Sequence, residues 1–321
     1  MHHTLGAIAE ILALGAVITL IGAWLIGRAH PPRGRFVEVG GLRQHVVEIG
    51  DAARSPPVVL IHGAGCNLED MRLALGERLA ARHRVILIDR AGLGWSERAG
   101  SGGGSPAYQA TMLRGVLDRL GVERAVIVGH SWGGALAVAF ALDHPARTAG
   151  LVLLAAPLYP FNRSMTWLYT LFAAPVFGLL YAHTMALPLG TPFIGIALGS
   201  AFLPQWPPHR YVSQTAALLL LRPAAFLANA RDVADLADNL ERQTVRYASL
   251  TVPTTIMTGD RDMIVAPRKH ALALAAAVPR AKLVVLSGIG HMLHHAAAER
   301  VVAEVEAMSG QSYSSPEPSP T

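Results

Sequence analysis

A serine lies between glycines in the segment Gly129–Gly134, which reads GHSWGG. The segment follows the apolar run Ala125–Val128 and opens the apolar run Trp132–Asp143, so it joins a predicted strand to a predicted helix. A G-x-S-x-G segment in this setting is typical of a strained turn that holds a serine hydroxyl at the carboxyl edge of a sheet. Ser131 is therefore the candidate nucleophile, and the alternative is a glycine-rich turn with a capping serine.

A serine hydroxyl is a poor nucleophile unless a base takes its proton. His291 lies just after the predicted strand Leu283–Leu286, where a loop returns side chains to the edge of the sheet. His294 and His295 are close alternatives, but both fall at the start of the last predicted helix. The pattern favours His291 as the general base.

The histidine needs an acid that fixes its tautomer and stabilises its cation. The predicted strand Thr254–Thr258 is followed by the sequence GDRD, which offers Asp260 and Asp262. Asp260 follows the glycine in a tight turn, where a structural role is natural. We therefore expect Asp262 to be the acid, and the chain order Ser131, Asp262, His291 is the order expected of this arrangement.

Acyl transfer also needs N–H donors for the developing oxyanion. The amide of Trp132 is one candidate, because it follows the nucleophile, and the amide of Ala64 is the other, because its loop is rich in glycine. His62 is interpreted as a structural hydrogen-bonding residue. Cys66 is an alternative nucleophile near this loop, although nothing adjacent in sequence would activate its thiol.

Short apolar or β-branched runs alternate with helical patterns along the chain, which predicts a doubly wound, mostly parallel α/β sheet. About 100 residues between Leu154 and Thr254 contain no clear strand. Because that is too long for a loop in a compact domain, we expect an inserted helical cap. The predicted organisation is an N-terminal anchor (1–30), a first part of the core (31–154), the cap (155–250), a second part of the core (251–308) and a disordered tail (309–321). The predicted strands are Phe36–Val39, Gln44–Ile49, Val58–His62, Val85–Asp89, Ala125–Val128, Leu151–Leu154, Thr254–Thr258 and Leu283–Leu286.

The segment Leu5–Gly27 has 23 residues and one charge, Glu10. At about 1.5 Å per residue a helix of this length crosses a hydrocarbon core of roughly 30 Å, which predicts a single-pass membrane anchor. Three arginines, Arg28, Arg33 and Arg35, follow the segment and favour a catalytic domain on the cytoplasmic side. The alternative interpretation is a cleaved export signal.

The stretch Ser164–His209 contains no Asp, Glu, Lys or Arg, carries many aromatic residues and is interrupted by prolines. Two interpretations are compatible with each other: an apolar lid over a pocket, and a surface that dips into the membrane beside the anchor.

The composition excludes several classes of protein. Hydrophobic residues make up 52% of the chain and charged residues 15%, which is incompatible with a mainly disordered protein. One cysteine cannot form an internal disulfide. The net charge is +5, but no arginine-lysine block, aromatic interleaving or zinc-ligand spacing accompanies it, so we expect no nucleic-acid partner.

Five segments together resemble the α/β-hydrolase fold superfamily: HGAG at 62–65, DRAGLGWS at 89–96, GHSWGG at 129–134, GDRD at 259–262 and GH at 290–291. The resemblance covers about Phe36 to Met308. It implies an eight-stranded sheet, a Ser-Asp-His triad, no cofactor and a cap that determines the substrate. It also implies an architectural role for Asp89. Relatives resembling epoxide hydrolases or haloalkane dehalogenases carry aspartate where this chain has Ser131, which argues against both activities.

The sequence therefore predicts a membrane-anchored serine hydrolase that cleaves a lipophilic carboxylic ester through an acyl-enzyme, without a metal or cofactor. Acyl transfer, perhydrolysis, lactone opening, amide cleavage and C–C bond hydrolysis remain alternatives, because fold and triad do not determine the acyl acceptor. A non-catalytic ligand-binding module and a structural membrane protein with an apolar interaction surface are alternatives from other classes.

Overall fold

The computed structural model describes residues 2–51, 56–100 and 102–313. Eight strands form one sheet in the order β1-β2-β4-β3-β5-β6-β7-β8. The strands β1 and β2 form an antiparallel hairpin at one edge, β2 pairs antiparallel with β4, and the remaining pairs are parallel. The eight-stranded, mostly parallel sheet predicted from the sequence is confirmed. The bounds are Arg35–Val39 (β1), Leu42–Ile49 (β2), Val58–Ile61 (β3), Val85–Ile88 (β4), Ala125–His130 (β5), Thr148–Leu154 (β6), Thr254–Gly259 (β7) and Lys282–Leu286 (β8).

Alternating side chains on the buried strands supply two apolar cores, one on each face of the sheet. In β5, Ile127 belongs to one core, whereas Val126 and Val128 belong to the other. Successive side chains on a strand point to opposite faces, so continuous apolar strands must be covered on both sides. Helices on the two faces complete this three-layer arrangement.

The helices follow the chain in a simple order. The first, α1, precedes the sheet; α2 to α5 lie between β3 and β6; α6 to α12 lie between β6 and β7; and the last three flank β8. A π-helical turn, Arg72–Gly76, joins α2 to α3. The bounds are His2–Ala29 (α1), Leu68–Met71 (α2), Glu77–Ala80 (α3), Pro106–Arg119 (α4), Trp132–Asp143 (α5), Trp167–Ala173 (α6), Pro175–Thr184 (α7), Ala186–Gly190 (α8), Ile194–Ala201 (α9), Tyr211–Gln214 (α10), Pro223–Ala234 (α11), Leu236–Thr244 (α12), Ala271–Ala277 (α13), Leu293–Ala296 (α14) and Ala298–Tyr313 (α15).

Helix α1 packs against the residues between β6 and β7, which we call the inserted segment (155–253). Small residues permit the close approach: a Cβ on Gly15 would lie 2.3 Å from the carbonyl oxygen of Thr184, and one on Gly22 would lie 2.8 Å from the side chain of Leu187. The opposite side of α1 is apolar and exposed. Among the described residues, Thr4–Ala29 is the one helix long and apolar enough to cross a membrane, with a mean hydropathy of 2.2.

The C-terminal helix is longer than the sequence predicted. A disordered tail was expected from Ser309, but α15 continues to Tyr313. Met308 and Ser309 are buried, and the Ser309 hydroxyl donates to the carbonyl of Val305, so packing extends the helix beyond its apolar pattern. Residues 314–321 of the predicted tail lie outside the described residues.

Candidate active site

Ser131 occupies a strained turn between β5 and α5, with φ of 49° and ψ of −125°. Its amide donates to the carbonyl of Leu154 at 2.8 Å, which ties the turn to β6. The flanking glycines are required by space: a Cβ on Gly129 would lie 2.4 Å from the Gly133 carbonyl oxygen, and one on Gly133 would lie 2.6 Å from that of His62. This backbone holds the serine at the carboxyl edge of the sheet, at the start of α5.

Asp262 and His291 are brought together from the loops that follow β7 and β8. The Nδ1 atom of His291 lies 2.9 Å from Oδ2 of Asp262. The other carboxylate oxygen accepts the amides of Ile264 at 2.9 Å and Val265 at 2.8 Å, so the carboxylate is held on both sides. A hydrogen bond from Nδ1 to Asp262 leaves Nε2 of His291 as the nitrogen available for proton transfer.

Ser131 and His291 line the same cavity, although the serine hydroxyl is not hydrogen-bonded to the imidazole in this structure. Such contacts are often long before substrate binds and shorten in the reacting complex. Asp260, the alternative acid, binds elsewhere: its carboxylate accepts the amide of Gly288 at 2.7 Å and the hydroxyl of Ser287 at 3.4 Å. It thus ties the β8 loop to the β7 loop without reaching His291.

Ala64 and Trp132, the two residues whose amides were expected to bind the oxyanion, both line the cavity beside Ser131. Within the described part of the chain neither amide donates a hydrogen bond. Two free amides near a nucleophilic hydroxyl are suited to stabilise a tetrahedral oxyanion. The indole of Trp132 points away and donates to the carbonyl of Asp232 at 3.0 Å.

The other polar residues singled out in the sequence are structural neighbours of the site. His62 accepts the Arg90 amide at 3.0 Å through Nε2, and burial lowers the pKa of His62 to about 4, which keeps it neutral. Asp89 accepts the amides of Leu68 and Trp95, both at 2.8 Å, and so holds two turns together.

The thiol of Cys66 also lines the cavity, but burial and the nearby Asp70 raise its pKa well above the ordinary range. Because the thiolate is the reactive form of a cysteine, this environment argues against Cys66 as the nucleophile.

The cavity has a volume of about 610 Å³ and a mainly apolar wall. Core loops form its floor, and helices of the inserted segment form its roof. Lys269, which is exposed, is the only Lys or Arg among the described lining residues. The apolar residues from the inserted segment are Pro157, Phe161, Tyr169, Ile194, Ala197, Leu198, Ala201, Leu220, Val233 and Leu236.

A network of buried ion pairs near the site was not predicted by any pattern in the sequence. Arg90 forms a fully buried ion pair with Asp232 of α11 at 2.6 Å, and Arg98 binds the second oxygen of the same carboxylate at 2.6 Å. The Arg90 guanidinium also lies 4.0 Å from the ring of Trp132. The network therefore connects the inserted segment to the residue that follows the nucleophile.

The comparison with known proteins agrees with this geometry. A sequence model of the family described as alpha/beta hydrolase fold matches residues 56–298. The chain belongs to the α/β-hydrolase fold family. A 2-hydroxymuconate semialdehyde hydrolase from Pseudomonas putida is 31% identical over 283 residues, which is 86% of this chain and 94% of that protein.

Two solved structures show the same fold at lower identity. A thermophilic esterase from Thermogutta terrifontis superposes with a TM-score of 0.70 at 24% identity and covers 88% of this chain and all of its own. A bacterial membrane phospholipase A superposes with a TM-score of 0.66 at 19% identity and covers 98% of this chain and all of its own.

Proposed function

We propose that this α/β hydrolase is a membrane-anchored serine esterase whose substrate has an apolar acyl group. The observation that carries the proposal is the 2.9 Å contact between Asp262 and His291, together with the position of His291 on the wall of the same apolar cavity as Ser131. A hydroxyl, an oriented imidazole and two free amides supply the groups that ester hydrolysis requires.

In the first half of the reaction, Ser131 Oγ attacks the ester carbonyl carbon while His291 Nε2 takes the hydroxyl proton. Asp262 stabilises the imidazolium, and the amides of Ala64 and Trp132 bind the oxyanion. The tetrahedral intermediate then collapses, and His291 returns the proton to the departing alcohol. In the second half, water attacks the acyl-enzyme with His291 as base, and the carboxylic acid leaves as the Ser131 hydroxyl is restored.

The wall of the cavity supports an apolar ester in particular. Many aliphatic and aromatic side chains of the inserted segment line the cavity that contains Ser131, whereas the only Lys or Arg among the described lining residues is the exposed Lys269. An anionic acyl group buried in such a cavity would lose hydration without gaining a buried cation. An uncharged acyl chain gains free energy from the same burial.

C–C bond hydrolysis is the second candidate, because the Pseudomonas putida relative at 31% identity is a 2-hydroxymuconate semialdehyde hydrolase. The same nucleophile and base would serve that reaction. The absence of a buried Lys or Arg among the described cavity residues favours the ester, since a muconate-type substrate carries a carboxylate.

The test is the hydrolysis of p-nitrophenyl esters from acetate to palmitate by the full chain in detergent, with Ser131→Ala as the matched control. We expect turnover that depends on Ser131 and is faster for chains longer than acetate. Cleavage of a 2-hydroxy-6-oxodienoate without ester turnover would establish the second candidate. A folded protein that turns over neither substrate and is not labelled by a fluorophosphonate would be a binding module.

Membrane attachment is proposed through α1 and the adjoining surface of the inserted segment. A 26-residue apolar helix is about 39 Å long, enough for a hydrocarbon core of roughly 30 Å. Large apolar side chains are also exposed on the inserted segment, including Val176 at 81% and Trp206 at 86%. Exposed apolar surface on this scale is typical of a partner or membrane contact.

Membrane fractionation of the full chain and of a chain lacking residues 1–30 tests this attachment. We expect the full chain to resist alkaline extraction and the shortened chain to be released. Sedimentation of the shortened chain with membranes would show that the inserted segment binds lipid by itself. Protease accessibility in sealed vesicles tests the cytoplasmic orientation that the basic flank favours.

A further inference from the structure

A cluster of polar side chains is buried beside the catalytic loops and takes no part in the reaction described above. Asp70 lies in α2, Tyr211 begins α10, and His294 and His295 are consecutive in α14. Asp70 is in contact with all three: Nε2 of His294 lies at 3.0 Å, Nε2 of His295 at 2.7 Å, and the Tyr211 hydroxyl at 2.8 Å. Each of these side chains is at most about 5% exposed.

The cluster holds a buried carboxylate, that of Asp70, whose only ion-pair partners among the described residues are the two histidines, with no arginine or lysine. Buried carboxylates are generally paired with a cation or coordinate a metal. In this structure Nε2 of His294 donates to the Asp70 carboxylate, whereas Nδ1 has no hydrogen-bond partner, so the imidazole can carry its proton on Nδ1 when an ion binds at Nε2.

We propose that Asp70, His294, His295 and Tyr211 form a structural Zn²⁺ site. Two imidazole nitrogens and a carboxylate oxygen are the donors that zinc prefers, whereas Ca²⁺ and Mg²⁺ prefer oxygen alone. The ligand atoms of Asp70 and the two histidines lie within 4.8 Å of one another. Zinc bonds of about 2.0–2.1 Å place tetrahedral ligands about 3.3 Å apart, so the more distant of these atoms must approach each other by up to about 1.5 Å, and the hydrogen-bonded ones must separate slightly, to admit the ion.

The ion would join three parts of the molecule. Tyr211 belongs to the inserted segment, Asp70 to the core after β3, and the histidines to the helix that follows the His291 loop. The centroid of the His294 ring also lies 4.0 Å from that of His130, the residue before Ser131, and the two rings are tilted by 40°. Zinc would therefore hold the roof of the cavity against its floor. This site is independent of the proposed esterase reaction, and neither proposal requires the other.

The experiment uses the full chain in detergent after chelation and removal of the chelator. ZnCl₂ is titrated by calorimetry, and CoCl₂ is titrated by visible absorption, because tetrahedral cobalt absorbs strongly. We expect one Zn²⁺ per chain, a cobalt spectrum typical of tetrahedral coordination, and a higher melting temperature when zinc exceeds its dissociation constant by about 100-fold. CaCl₂ and MgCl₂ should cause none of these changes.

The decisive variant is His295→Gln, because the glutamine amide still donates to Asp70 but is a poor zinc ligand. We expect it to fold and to bind zinc at least about 100-fold more weakly. His209→Gln, which removes an exposed histidine outside the cluster, should bind zinc like the wild type. The proposal is overturned if the wild type binds no stoichiometric zinc, or if His295→Gln binds it as tightly as the wild type does.

Discussion

The carboxylate of Asp262 lies 2.9 Å from Nδ1 of His291, although the two residues are 29 positions apart in the chain. They meet because β7 and β8 are parallel neighbours, so the loops that follow them leave the sheet at the same edge. Asp260, two residues earlier, binds the backbone of Gly288 instead. Asp262 therefore contacts the imidazole, whereas Asp260 links the loops that follow β7 and β8.

We expect Asp262→Asn to lower kcat for ester hydrolysis by about 10³ to 10⁴-fold, because an amide in place of the carboxylate favours the wrong imidazole tautomer. The matched control is Asp260→Asn, which should lower kcat by less than about 10-fold, since its contacts are structural. Steady-state kinetics on the best p-nitrophenyl ester measure both variants. A larger loss in Asp260→Asn than in Asp262→Asn would reverse the two roles.

Local patterns were sufficient to predict the sheet. Each of the eight predicted runs overlaps one strand, because apolar β-branched runs between turns are a short-range signal. Candidate site residues that lie within motifs, such as Ser131 in its glycine turn, could also be identified from the local sequence. Ser309 shows the limit of this approach, since its polar surroundings did not indicate that α15 continues to Tyr313.

Contacts between distant segments could not be predicted in this way. Arg90 and Asp232 are 142 positions apart, and Asp70 and Tyr211 are 141 apart. Nothing in the sequence near Asp232 indicates that its carboxylate is buried between two arginines. Such pairs depend on how the inserted segment packs on the core, which is decided by tertiary packing and not by periodicity.

The buried carboxylate of Asp232 gives a prediction about stability. It is fully buried between Arg90 and Arg98, so Asp232→Asn leaves two guanidinium groups without their counter-charge. We expect the free energy of unfolding to fall by about 3–5 kcal/mol. Asp143→Asn, which removes the partially exposed pair with Arg246, should cost less than about 1 kcal/mol. Denaturant unfolding in detergent measures both, and equal losses would contradict this account.

The contact between α1 and the inserted segment gives a second prediction about stability. A Cβ at Gly15 would lie 2.3 Å from the Thr184 carbonyl oxygen, whereas one at Gly6 meets nothing within 4 Å. Both substitutions to alanine gain the same helix propensity. We therefore expect Gly15→Ala to lower the free energy of unfolding by about 1–3 kcal/mol and Gly6→Ala to leave it unchanged or slightly higher. Thermal unfolding in detergent tests the difference, and identical melting temperatures would exclude the close packing.

The last prediction concerns the stability of the protein in acid and rests on His270, which lines the cavity. Its Nδ1 atom accepts the amides of Leu158 at 3.0 Å and Tyr159 at 3.1 Å, which a protonated nitrogen cannot do. Burial, together with the positive charge of Lys269, lowers the pKa of His270 to about 4 from its ordinary value of 6.5. His270 is therefore neutral in the folded protein over a pH range in which the same histidine is protonated in the unfolded chain.

Between pH 6.5 and about 4 the unfolded state binds more protons, so His270 makes the free energy of unfolding fall as the pH falls. The limiting slope for one group is about 1.4 kcal/mol per pH unit. In His270→Asn the side-chain oxygen takes the position of Nδ1 and can accept without titrating, so the decline should be shallower by up to this slope. Denaturant midpoints between about pH 4 and 7 measure it, with His209→Asn, at an exposed position, as the matched control. A wild-type slope in His270→Asn would mean that other groups, such as the buried His62, account for the acid sensitivity.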